Sequence, residues 1–464
     1  MCNVSLNGTQ PTDASIRVLR ALEAAGLEAW YVGGWVRDAL MGRPSHDVDM
    51  CCSGLWQESK AALEAADIAV VESGVKFGGI TAICDGERIE VTTYRLDGFY
   101  TDGRHPQSVE RAASLEDDLA RRDFTVNAMA WHPERGLVDR YDGQGDLDRK
   151  LIRAVGDPKR RFNEDALRML RAVRFACRLD FMIEPATKQA LAECAPLLDA
   201  VARERVGIEL EGILSTGHGG DAMLRYPELI CAAVPELAPA RGFDQRSVYH
   251  AFNVYEHIAR VLTVAGELAL CDGVAPSSSL MWAAFLHDVS KPECFTVDHA
   301  GSGHFYGHPE LGAKKARAIM DRLALSHDLV RDVCLLIKYH DKPLRPERSC
   351  LLNMMRALSG EGVDTPRLMD ELMDLKRADT LGKAPSCFYY VETIEEMRAL
   401  THELLAAGEP YTLKMLAING GDLIRAGVKP GPELGQLLNA ALDAVIEDSI
   451  PNEREALLAH LHLG

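Results

Sequence analysis

The spacing of hydrophobic and polar positions divides the chain into two kinds of structure. The first part alternates short apolar runs with glycine-containing turns, as in EAWYVGG, HDVDMCC, GITAIC and RIEVTTYR. Short runs of this kind predict strands, so we expect a mixed α/β domain built around a small sheet. From about Asp157 the spacing becomes that of amphipathic helices, as in EDALRMLRAVRFACRL, and the rest of the chain is largely helical. The predicted fold class is therefore α+β.

Turns and loops place the expected domain boundaries. The strands fall in a first domain over residues 1–150, and a helical segment follows over residues 151–241. The loop GFDQRS opens a histidine-rich helical domain over residues 242–385, and a looser stretch near Gly382 introduces a helical tail over residues 386–464. The length of 464 residues agrees with several domains, since roughly 150 residues are expected for each.

Composition narrows the class of protein. Hydrophobic residues make up 47% of the chain and charged residues 26%, which is typical of a globular protein in water. The first residues lack the basic start and apolar core of a signal sequence, and no apolar run approaches the roughly 18 residues of a membrane span, so we expect no membrane association. Twelve cysteines without a CxxC pair predict reduced thiols and a cytoplasmic location.

Charge changes the picture in one segment. The net charge of −18 disfavours broad affinity for nucleic acid, because phosphate backbones are bound mainly by lysine and arginine. Between Arg121 and Arg178, however, 14 lysine and arginine residues outnumber 9 aspartate and glutamate residues, a local excess of five positive charges. This basic strip is the segment that we expect to approach phosphate.

Carboxylates follow the first glycine-containing turn. Asp47 and Asp49 are two residues apart, and in a strand such residues project to the same side, so both can bind metal together. Glu90 in RIEVTTYR supplies a third carboxylate on a strand that we expect to be a neighbour. Three carboxylates on adjacent strands match the oxygen ligands of a two-Mg²⁺ site for phosphoryl or nucleotidyl transfer.

The turn itself suits a phosphate. Gly33 and Gly34 lack side chains, so their backbone N–H groups can approach phosphate closely, and Arg37 in the following helix adds a cation. A Gly-Gly turn alone, or an Asp-x-Asp pair alone, is most often structural. GGWVRD followed by HDVDM is a rarer combination, and it resembles the active-site signature of the nucleotidyltransferases related to DNA polymerase beta.

A second group of polar residues lies in LARRDFTVNAMAW and NEDALRMLRAVRF. If one helix carries Asp165 and Arg168, the two side chains share a face. A carboxylate accepts from the exocyclic amine of C or A while a guanidinium donates to the adjacent ring nitrogen, and G and U present the opposite pattern. Such a pair would select C and A without a template. An ordinary intrahelical ion pair is the alternative, and the spacing alone favours it.

Taken in order, GGWVRD, HDVDM, RRDFTVNAMA, DGQGDL and EDALRMLRAVRF resemble the motifs of the class II CCA-adding enzymes, the bacterial and eukaryotic tRNA nucleotidyltransferases. The resemblance implies a polymerase-beta-like head over residues 1–150 and a helical neck over residues 151–241 that selects the nucleotide and binds RNA, followed by body and tail. The implied reaction is template-independent addition or repair of the 3′-terminal CCA of tRNA from CTP and ATP, with Mg²⁺ and release of pyrophosphate. The implied partners are the acceptor arm and 3′ end of tRNA, not DNA or a membrane.

The resemblance also implies roles for individual residues. The catalytic carboxylates are Asp47, Asp49 and Glu90, of which Asp47 and Asp49 hold Mg²⁺. The implied nucleotide-binding residues are Gly33, Gly34, Arg37, Arg121, Arg122, Asn127, Asp165, Arg168, Arg171 and Arg174. The stretch DGFYTDGRHPQSVERAASLEDD is long enough to hold the flexible loop of complete CCA-adding enzymes, which favours CCA addition over CC-only addition.

The histidine-rich domain predicts a second metal site. Its candidate ligands lie at long spacings along helical segments and are His257, His287, Asp288, His308, His340 and Asp379. In this order they resemble the HD metal-dependent phosphohydrolase superfamily, which implies an HD domain over residues 242–385. A divalent transition metal or Mg²⁺ bound there could activate water against a phosphoester. The alternative is a domain that keeps these residues but serves mainly as the body that docks tRNA.

Two ligand choices stay open in this domain. His250 lies on the same helical face as His257, and His304 competes with His308. If both His308 and His340 are ligands the site holds two metal ions, and otherwise it holds one.

Other functions share parts of this pattern. A bacterial poly(A) polymerase has the same head motifs, but the C-terminal tail here is not basic. A regulatory RNA- or nucleotide-binding HD protein with an inactive head would have lost Asp47, Asp49 or Arg168, and none of them is lost. The intact head motifs also disfavour an HD phosphohydrolase that uses the head only for docking.

Overall fold

A computed structural model describes residues 9–45, 47–73, 75, 78–97, 109–271 and 273–463. Half of the stretch predicted to hold the loop of complete CCA-adding enzymes, residues 98–108, lies outside the described residues. The chain divides into two compact units, one of residues 1–210 with 226–233 and one of residues 211–225 with 234–464.

Strands are concentrated in the first unit. The main sheet contains β1 (Ala29–Val32), β2 (Val48–Cys52), β3 (Ala69–Val71), β4 (Gly79–Cys84), β5 (Glu87–Thr93), β8 (Met129–His132) and β9 (Gly136–Asp139). Short pairs are formed by β6 (Arg95–Asp97) with β7 (Val109–Arg111) and by β10 (Leu151–Ile152) with β11 (Met182–Ile183). The seven strands follow the order β3-β4-β5-β2-β1-β8-β9, and β2 and β5 run parallel while the other neighbouring pairs are antiparallel.

Alternation along the central strands decides which side chains face the large apolar cluster. In β2, Met50 belongs to that cluster and Cys51 belongs to a smaller one on the opposite face. Because successive strand residues point to opposite faces, Asp49 faces the same side as Cys51. In β5, Val91 belongs to the large cluster, so Glu90 faces the side of Asp49.

Helices complete the first unit. They are α1 (Asp13–Ala24), α2 (Gly34–Leu40), α3 (Trp56–Ala65), α4 (Leu115–Ala120), α5 (Gly143–Asp148), α6 (Pro158–Glu164), α7 (Leu167–Leu179), α8 (Pro185–Cys194), most of α9 (Arg203–Leu214) and α11 (Pro227–Ala233). A 3₁₀ turn over Thr125–Asn127 precedes β8.

The helix expected from EDALRMLRAVRFACRL is broken near its start. α6 ends at Glu164, and Asp165 has an extended backbone with φ −145° and ψ 105° before α7 begins at Leu167. Oδ1 of Asp165 accepts a hydrogen bond from the backbone N–H of Leu167 at 3.0 Å. This side chain therefore competes with helical hydrogen bonding, as short carboxylates do at helix starts. The expectation that one helix carries Asp165 and Arg168 is wrong.

The second unit is mainly helical. Its helices are α10 (Gly219–Arg225), α12 (Val254–Cys271), α13 (Ser278–Leu286), α14 (His308–Arg322), α15 (His327–Tyr339), α16 (Arg348–Leu358), α17 (Thr365–Leu381), α18 (Tyr390–Ala406), α19 (Gly420–Arg425), α20 (Pro432–Ile446) and α21 (Arg454–His460). β12 (Thr296–Val297) and β13 (Gly303–His304) form a short antiparallel pair. α12 packs against α13 and α17, and α13 packs against α15. Within the described part of the chain, every helix is too short or too polar to cross a bilayer.

Candidate active site and metal centre

A cavity of about 350 Å³ opens beside the sheet of the first unit. Its lining combines four carboxylates with six arginines, which suits a phosphate-bearing ligand together with a cation. The charged lining residues are Asp49, Glu90, Asp123, Asp165, Arg95, Arg121, Arg122, Arg168, Arg171 and Arg205. Seven of these were expected to be site residues from the sequence, namely Asp49, Glu90, Arg121, Arg122, Asp165, Arg168 and Arg171.

Two carboxylates lie side by side on β2 and β5. In the parallel register Asp49 is directly opposite Glu90. Burial raises the pKa of Asp49 to about 6, the charge of Glu90 raises it as well, and Arg122 opposes both effects. Carboxylates whose repulsion resists ionisation are stabilised by a bound divalent cation, and carboxylate oxygens are the ligands that Mg²⁺ prefers. The residues present therefore fit a metal ion.

Asp47 lies directly before the first residue of β2. β2 begins at Val48, so the argument from strand alternation applies to Asp49 but not to Asp47. Asp47 is exposed, and its charge also raises the pKa of Asp49, so the two carboxylates are electrostatically coupled.

Gly33 allows the turn before α2 to approach the charged groups. Its φ of 69° lies in the left-handed region, and a Cβ there would be 3.1 Å from Nη1 of Arg122 and 3.6 Å from Oδ2 of Asp49. Its N–H donates to the carbonyl of Met129 at 3.4 Å, so the glycine contributes close approach to the site and not a free N–H. A Cβ on Gly34 would lie 3.5 Å from Nη2 of Arg37.

Arg37 is buried, and its side chain is bonded inside the protein. Nε and Nη2 donate to Asp38, and Nη1 donates to Oδ1 of Asn127 at 2.8 Å. Nδ2 of Asn127 donates to Oδ1 of Asp123 at 3.2 Å, and Oδ2 of Asp123 accepts from Arg171 at 2.8 and 3.0 Å. This chain of hydrogen bonds connects α2, the 3₁₀ turn and α7, so Arg37 and Asn127 hold the site together from behind its lining.

Asp118 is a site-supporting residue that the sequence reasoning missed. It is fully buried on α4, and it accepts hydrogen bonds from Arg121 at 2.6 and 3.0 Å and from Arg122 at 3.1 Å. Burial would raise its pKa, but the charges of Arg122 and Arg121 outweigh burial and hold the pKa of Asp118 below its usual value. Its spacing of three and four residues from the two arginines was visible in LEDDLARRD.

Asp165 and Arg168 both line the cavity, and each has partners elsewhere. Nη1 of Arg168 donates to Glu164 at 3.0 Å, and its Nη2 donates to the carbonyl of Arg121 at 3.0 Å. Oδ2 of Asp165 accepts from Nη2 of Arg205 at 3.1 Å. Arg205 was not a candidate from the sequence, because it lies 40 residues away on α9.

Much of the basic strip is neutralised within the first unit. Arg149 and Arg153 donate to Asp146 at 2.8 and 2.9 Å, and Arg174 donates to Glu209 at 2.6 Å. The local excess of positive charge in the sequence is therefore larger than the charge that this segment offers to a ligand. Arg174 lies outside the cavity lining.

In the second unit, four candidate histidine ligands converge around one carboxylate. Asp288 is shared by two groups of ligand atoms, one with His257 and His287 and the other with His308 and His340. Nε2 of His257 and Nε2 of His287 each lie 3.3 Å from Oδ2 of Asp288. Nε2 of His308 and Nε2 of His340 lie 3.5 and 3.7 Å from Oδ1. All five side chains are buried.

The four imidazoles all direct the same ring nitrogen toward Asp288. Each Nδ1 is bonded to a backbone carbonyl, of Gly382 for His257, Ala284 for His287, Phe305 for His308 and Ile337 for His340, at 3.1, 2.9, 2.7 and 2.7 Å. Because a carbonyl oxygen can only accept, we assign the proton to Nδ1 and a lone pair to Nε2. The Nε2 atoms face each other in pairs at 3.4 and 3.3 Å, an arrangement that a cation between them would stabilise.

The donor set of this cluster fits a metal. Both carboxylate oxygens of Asp288 are buried and accept no hydrogen bond from the described residues, although Nζ of Lys291 lies 2.6 Å from Oδ2. Oδ1 of Asp379 lies 3.1 Å from Nε2 of His257, and its Oδ2 accepts from Lys383 at 2.6 Å. Imidazole nitrogens with carboxylates suit a divalent transition metal or Mg²⁺.

The competing histidines lie outside the two ligand groups. Nε2 of His250 is 3.4 Å from Nζ of Lys291, and His304 pairs with Asp298 at 3.0 Å on the surface. Among the described residues, the geometry therefore favours His257 and His308 as ligands.

Four segments of the chain match known families. Residues 29–153 match the Poly A polymerase head domain, residues 180–240 the "Probable RNA and SrmB- binding site of polymerase A", residues 254–383 the HD domain, and residues 383–461 tRNA nucleotidyltransferase domain 2.

Several proteins that are similar along the whole chain are CCA-adding enzymes. The CCA-adding enzyme of Pediococcus pentosaceus is 32% identical over 95% of this chain and 95% of that protein, and that of Streptococcus thermophilus is 32% identical over 96% and 95%. The crystal structure of the Bacillus stearothermophilus CCA-adding enzyme in complex with CTP matches 98% of each chain with 27% identity and a TM-score of 0.73. The Thermotoga maritima CCA-adding enzyme complexed with tRNA shares the fold, with 21% identity and a TM-score of 0.63 over 100% of this chain and 98% of that chain.

An α+β head with a polymerase-beta-like site, followed by helical segments, defines this protein as a nucleotidyltransferase. Members of this class need a divalent metal for transfer. The chain belongs to the CCA-adding enzyme family. The predicted fold class and the resemblance are thereby confirmed, and the poly(A) polymerase and inactive-head alternatives are not favoured.

Proposed function

We propose that this protein adds or repairs the 3′-terminal CCA of tRNA, consuming CTP and ATP and releasing pyrophosphate. The observation that carries the proposal is the opposed pair Asp49 and Glu90 in a cavity that also contains Asp165 and Arg168. The metal ligands and the base-selecting residues of the implied reaction therefore meet in one cavity.

Asp49 and Glu90 are the residues that would hold Mg²⁺, with Asp47 beside them. When bound, the metal ions supply activation of the tRNA 3′-hydroxyl and neutralisation of charge on the triphosphate. Arg121 and Arg122 line the same cavity and bind the triphosphate, and their shared partner Asp118 keeps both guanidinium groups in place.

Base selection belongs to Asp165 and Arg168. The carboxylate accepts from the exocyclic amine of C or A, and the guanidinium donates to the neighbouring ring nitrogen. U and G present a carbonyl to the carboxylate, so acceptor would face acceptor. Because the protein itself selects the base, it does not have to bind a template nucleic acid. A net charge of −18 agrees with a protein that binds tRNA only as the primer.

We also propose a cytoplasmic location. The eleven described cysteines are free thiols, which is typical of a reducing compartment.

The test incubates the purified protein with Mg²⁺, CTP, ATP and a tRNA that ends at the discriminator base, and sequences the 3′ ends of the products. Products ending in CCA are expected. Asp49→Asn and Glu90→Gln should each lower the rate by more than about 100-fold, because each removes a metal ligand and not core volume. Asp85→Asn is the matched control, since Asp85 is an exposed carboxylate on the β4–β5 turn.

Three results would contradict the assignment. Long A tails would indicate a poly(A) polymerase, products ending in CC would show an incomplete activity, and full activity of Asp49→Asn would remove that carboxylate from the metal site.

A second activity is proposed for the HD cluster, the hydrolysis of a phosphoester. The observation in its favour is the shared carboxylate of Asp288, which leaves room for a metal ion in each ligand group. A bound metal supplies an activated water there. Lys291 and Lys383 line the adjoining cavity of about 290 Å³ and attract the phosphate of a substrate.

Metal analysis of the purified protein tests this proposal. We expect two metal ions per chain, one for each ligand group. His257→Ala should lose one ion and Asp288→Asn both, and both variants should lose hydrolysis of bis(p-nitrophenyl) phosphate while still adding CCA. His402→Ala is the control, because His402 is an exposed histidine that pairs with Asp370 outside the ligand groups. A metal content unchanged by Asp288→Asn would refute the assignment, and loss of CCA addition would indicate a structural role.

A further inference from the structure

Arg205 reaches the base-selecting carboxylate from a separate helix. Its Nη2 donates to Oδ2 of Asp165 at 3.1 Å, and both residues line the cavity of the first unit. The side chains are 22% and 16% exposed, so the pair is largely shielded from water. Such a pair constrains orientation better than an exposed ion pair does, because solvent competes less for either group.

Asp165 needs such a constraint because it lies in the break between α6 and α7. Its Oδ1 accepts from the backbone N–H of Leu167, and its Oδ2 accepts from Arg205. The carboxylate plane is thus held by two donors from two elements. Each oxygen retains a second lone pair, so the acceptor that a base amine requires is still available.

The helix that carries Arg205 is itself anchored. Glu209 lies one turn further along α9 and accepts from Nε of Arg174 on α7 at 2.6 Å. Residues four apart share a helix face, so the Glu209 contact sets the position from which Arg205 reaches across. α7 also carries Arg168. The contact between Arg174 and Glu209 therefore links the helix of Arg205, which holds the carboxylate of Asp165, to the helix that carries the guanidinium of Arg168.

Arg205 also offers a donor that the described residues leave unused. Its Nη1 is buried and has no hydrogen-bond partner among them. A buried donor without a partner costs free energy, so Arg205 is held by its contact with Asp165 and not by Nη1.

We propose that Arg205 is a positioning residue that sets nucleotide selectivity by fixing the carboxylate of Asp165 toward the base. The inference rests on the proposed CCA addition and on base selection by Asp165 and Arg168. Without Arg205, the carboxylate is held by one backbone N–H and can rotate away from the amine of C or A. Discrimination against U and G then falls, because it depends on an acceptor at a defined place.

Single-nucleotide addition to a tRNA ending at the discriminator base tests the proposal, with kcat and KM measured for each of the four nucleotides. Arg205→Met should lower the preference for CTP over UTP by at least about tenfold, through loss of a charge-assisted hydrogen bond. Arg205→Lys should lower it less, because an ammonium keeps the charge but lacks the planar guanidinium geometry. Arg203→Met is the matched control, since Arg203 is on the same helix and pairs with the exposed Asp199.

A double variant separates positioning from a general structural role. If Arg205 acts through Asp165, Asp165→Asn with Arg205→Met should show the same selectivity as Asp165→Asn alone. Equal losses of kcat/KM for all four nucleotides, or an unchanged CTP to UTP ratio, would overturn the proposal. If Arg205→Met does not fold, the CTP to UTP preference of Arg205→Lys tests the proposal instead.

The wild-type protein in the same assay distinguishes a failure of the proposed CCA addition from a failure of the proposed role of Arg205. If it fails to add C, C and A, the proposed function itself is wrong. If it adds CCA and the arginine variants select nucleotides as the wild type does, only the role of Arg205 is wrong.

Discussion

Replacing Asp118 by asparagine should destabilise the head more than its position on the short helix α4 suggests. The side chain of Asp118 is 0% exposed, and those of Arg121 and Arg122 beside it are 14% and 17% exposed. Asparagine keeps the shape but removes the negative charge, so two shielded cations lose their shared counter-charge. We expect a loss of about 3 kcal/mol, the cost of removing one partner from a buried, hydrogen-bonded ion pair.

The pH dependence of this loss has a definite sign. Arg122 and Arg121 hold the pKa of Asp118 below its usual value despite burial. A group with a lowered pKa stabilises the fold above its unfolded pKa of about 3.9, and this contribution is lost as pH falls through the lower folded pKa. The difference in stability between wild type and Asp118→Asn should therefore be full at neutral pH and should shrink as the pH falls below about 4.

Urea unfolding followed by tryptophan fluorescence measures the effect on the head. Four of the five tryptophans, Trp30, Trp35, Trp56 and Trp131, lie in the first unit. With a slope of about 2 kcal/mol per M, a loss of 3 kcal/mol lowers the urea midpoint by about 1.5 M. Glu116→Gln is the control on the same helix, because Glu116 forms an exposed ion pair with Arg140.

Unfolding of Asp118→Asn and Glu116→Gln at similar urea concentrations would refute a stabilising role for the charge of Asp118. This role is also refuted if the gap between wild type and Asp118→Asn stays constant down to about pH 3, since the charge of Asp118 would then contribute nothing.

Two smaller changes test how the cavity is held. Gly33→Ala and Gly26→Ala should each cost about 1 kcal/mol of stability, because both glycines have positive φ. Only Gly33→Ala should also lower kcat/KM for CTP. Its Cβ would contact Arg122, whereas a Cβ on Gly26 would contact nothing within 4 Å. Equal activity of the two variants would contradict this. Thr125→Val should lower stability by about 1 to 2 kcal/mol, because it removes the buried hydrogen bond from Oγ1 to Asp146 at 2.7 Å. An unchanged urea midpoint would show that the bond contributes little.

Local patterns predicted much of the candidate site. The order of the motifs led to Asp49 and Arg122, and the expectation of a neighbouring strand led to Glu90; the structure places all three around one cavity. Strand alternation worked for Asp49, because the two faces of β2 pack against different clusters. It does not extend to Asp47, because the strand starts one residue later. Helical spacing failed for Asp165, because its backbone is extended and its side chain accepts from the N–H of Leu167, the first residue of α7.

Partners far apart in sequence were beyond the reach of such patterns. The bond between Arg37 and Asn127 joins residues 90 apart, and the one between Asp165 and Arg205 joins residues 40 apart. Arg37 illustrates the limit: its place in a motif predicted a phosphate contact, whereas burial directs its donors to Asp38 and Asn127.

The sequence by itself determined the family, the order of head and helical segments, and the residue types that carry the chemistry, because these follow from short motifs and local periodicity. Tertiary structure decided which of the residues with the same local sequence pattern come into contact. His250 and His257 would lie two turns apart if one helix carried both, but α12 begins at Val254 and leaves His250 outside it. Among the described residues, only His257 of the two belongs to a ligand group around Asp288. Likewise, the packing of α9 against α7 gives Asp165 its partner Arg205. Side chains with the same local pattern differ in function because packing brings only some of them within bonding distance.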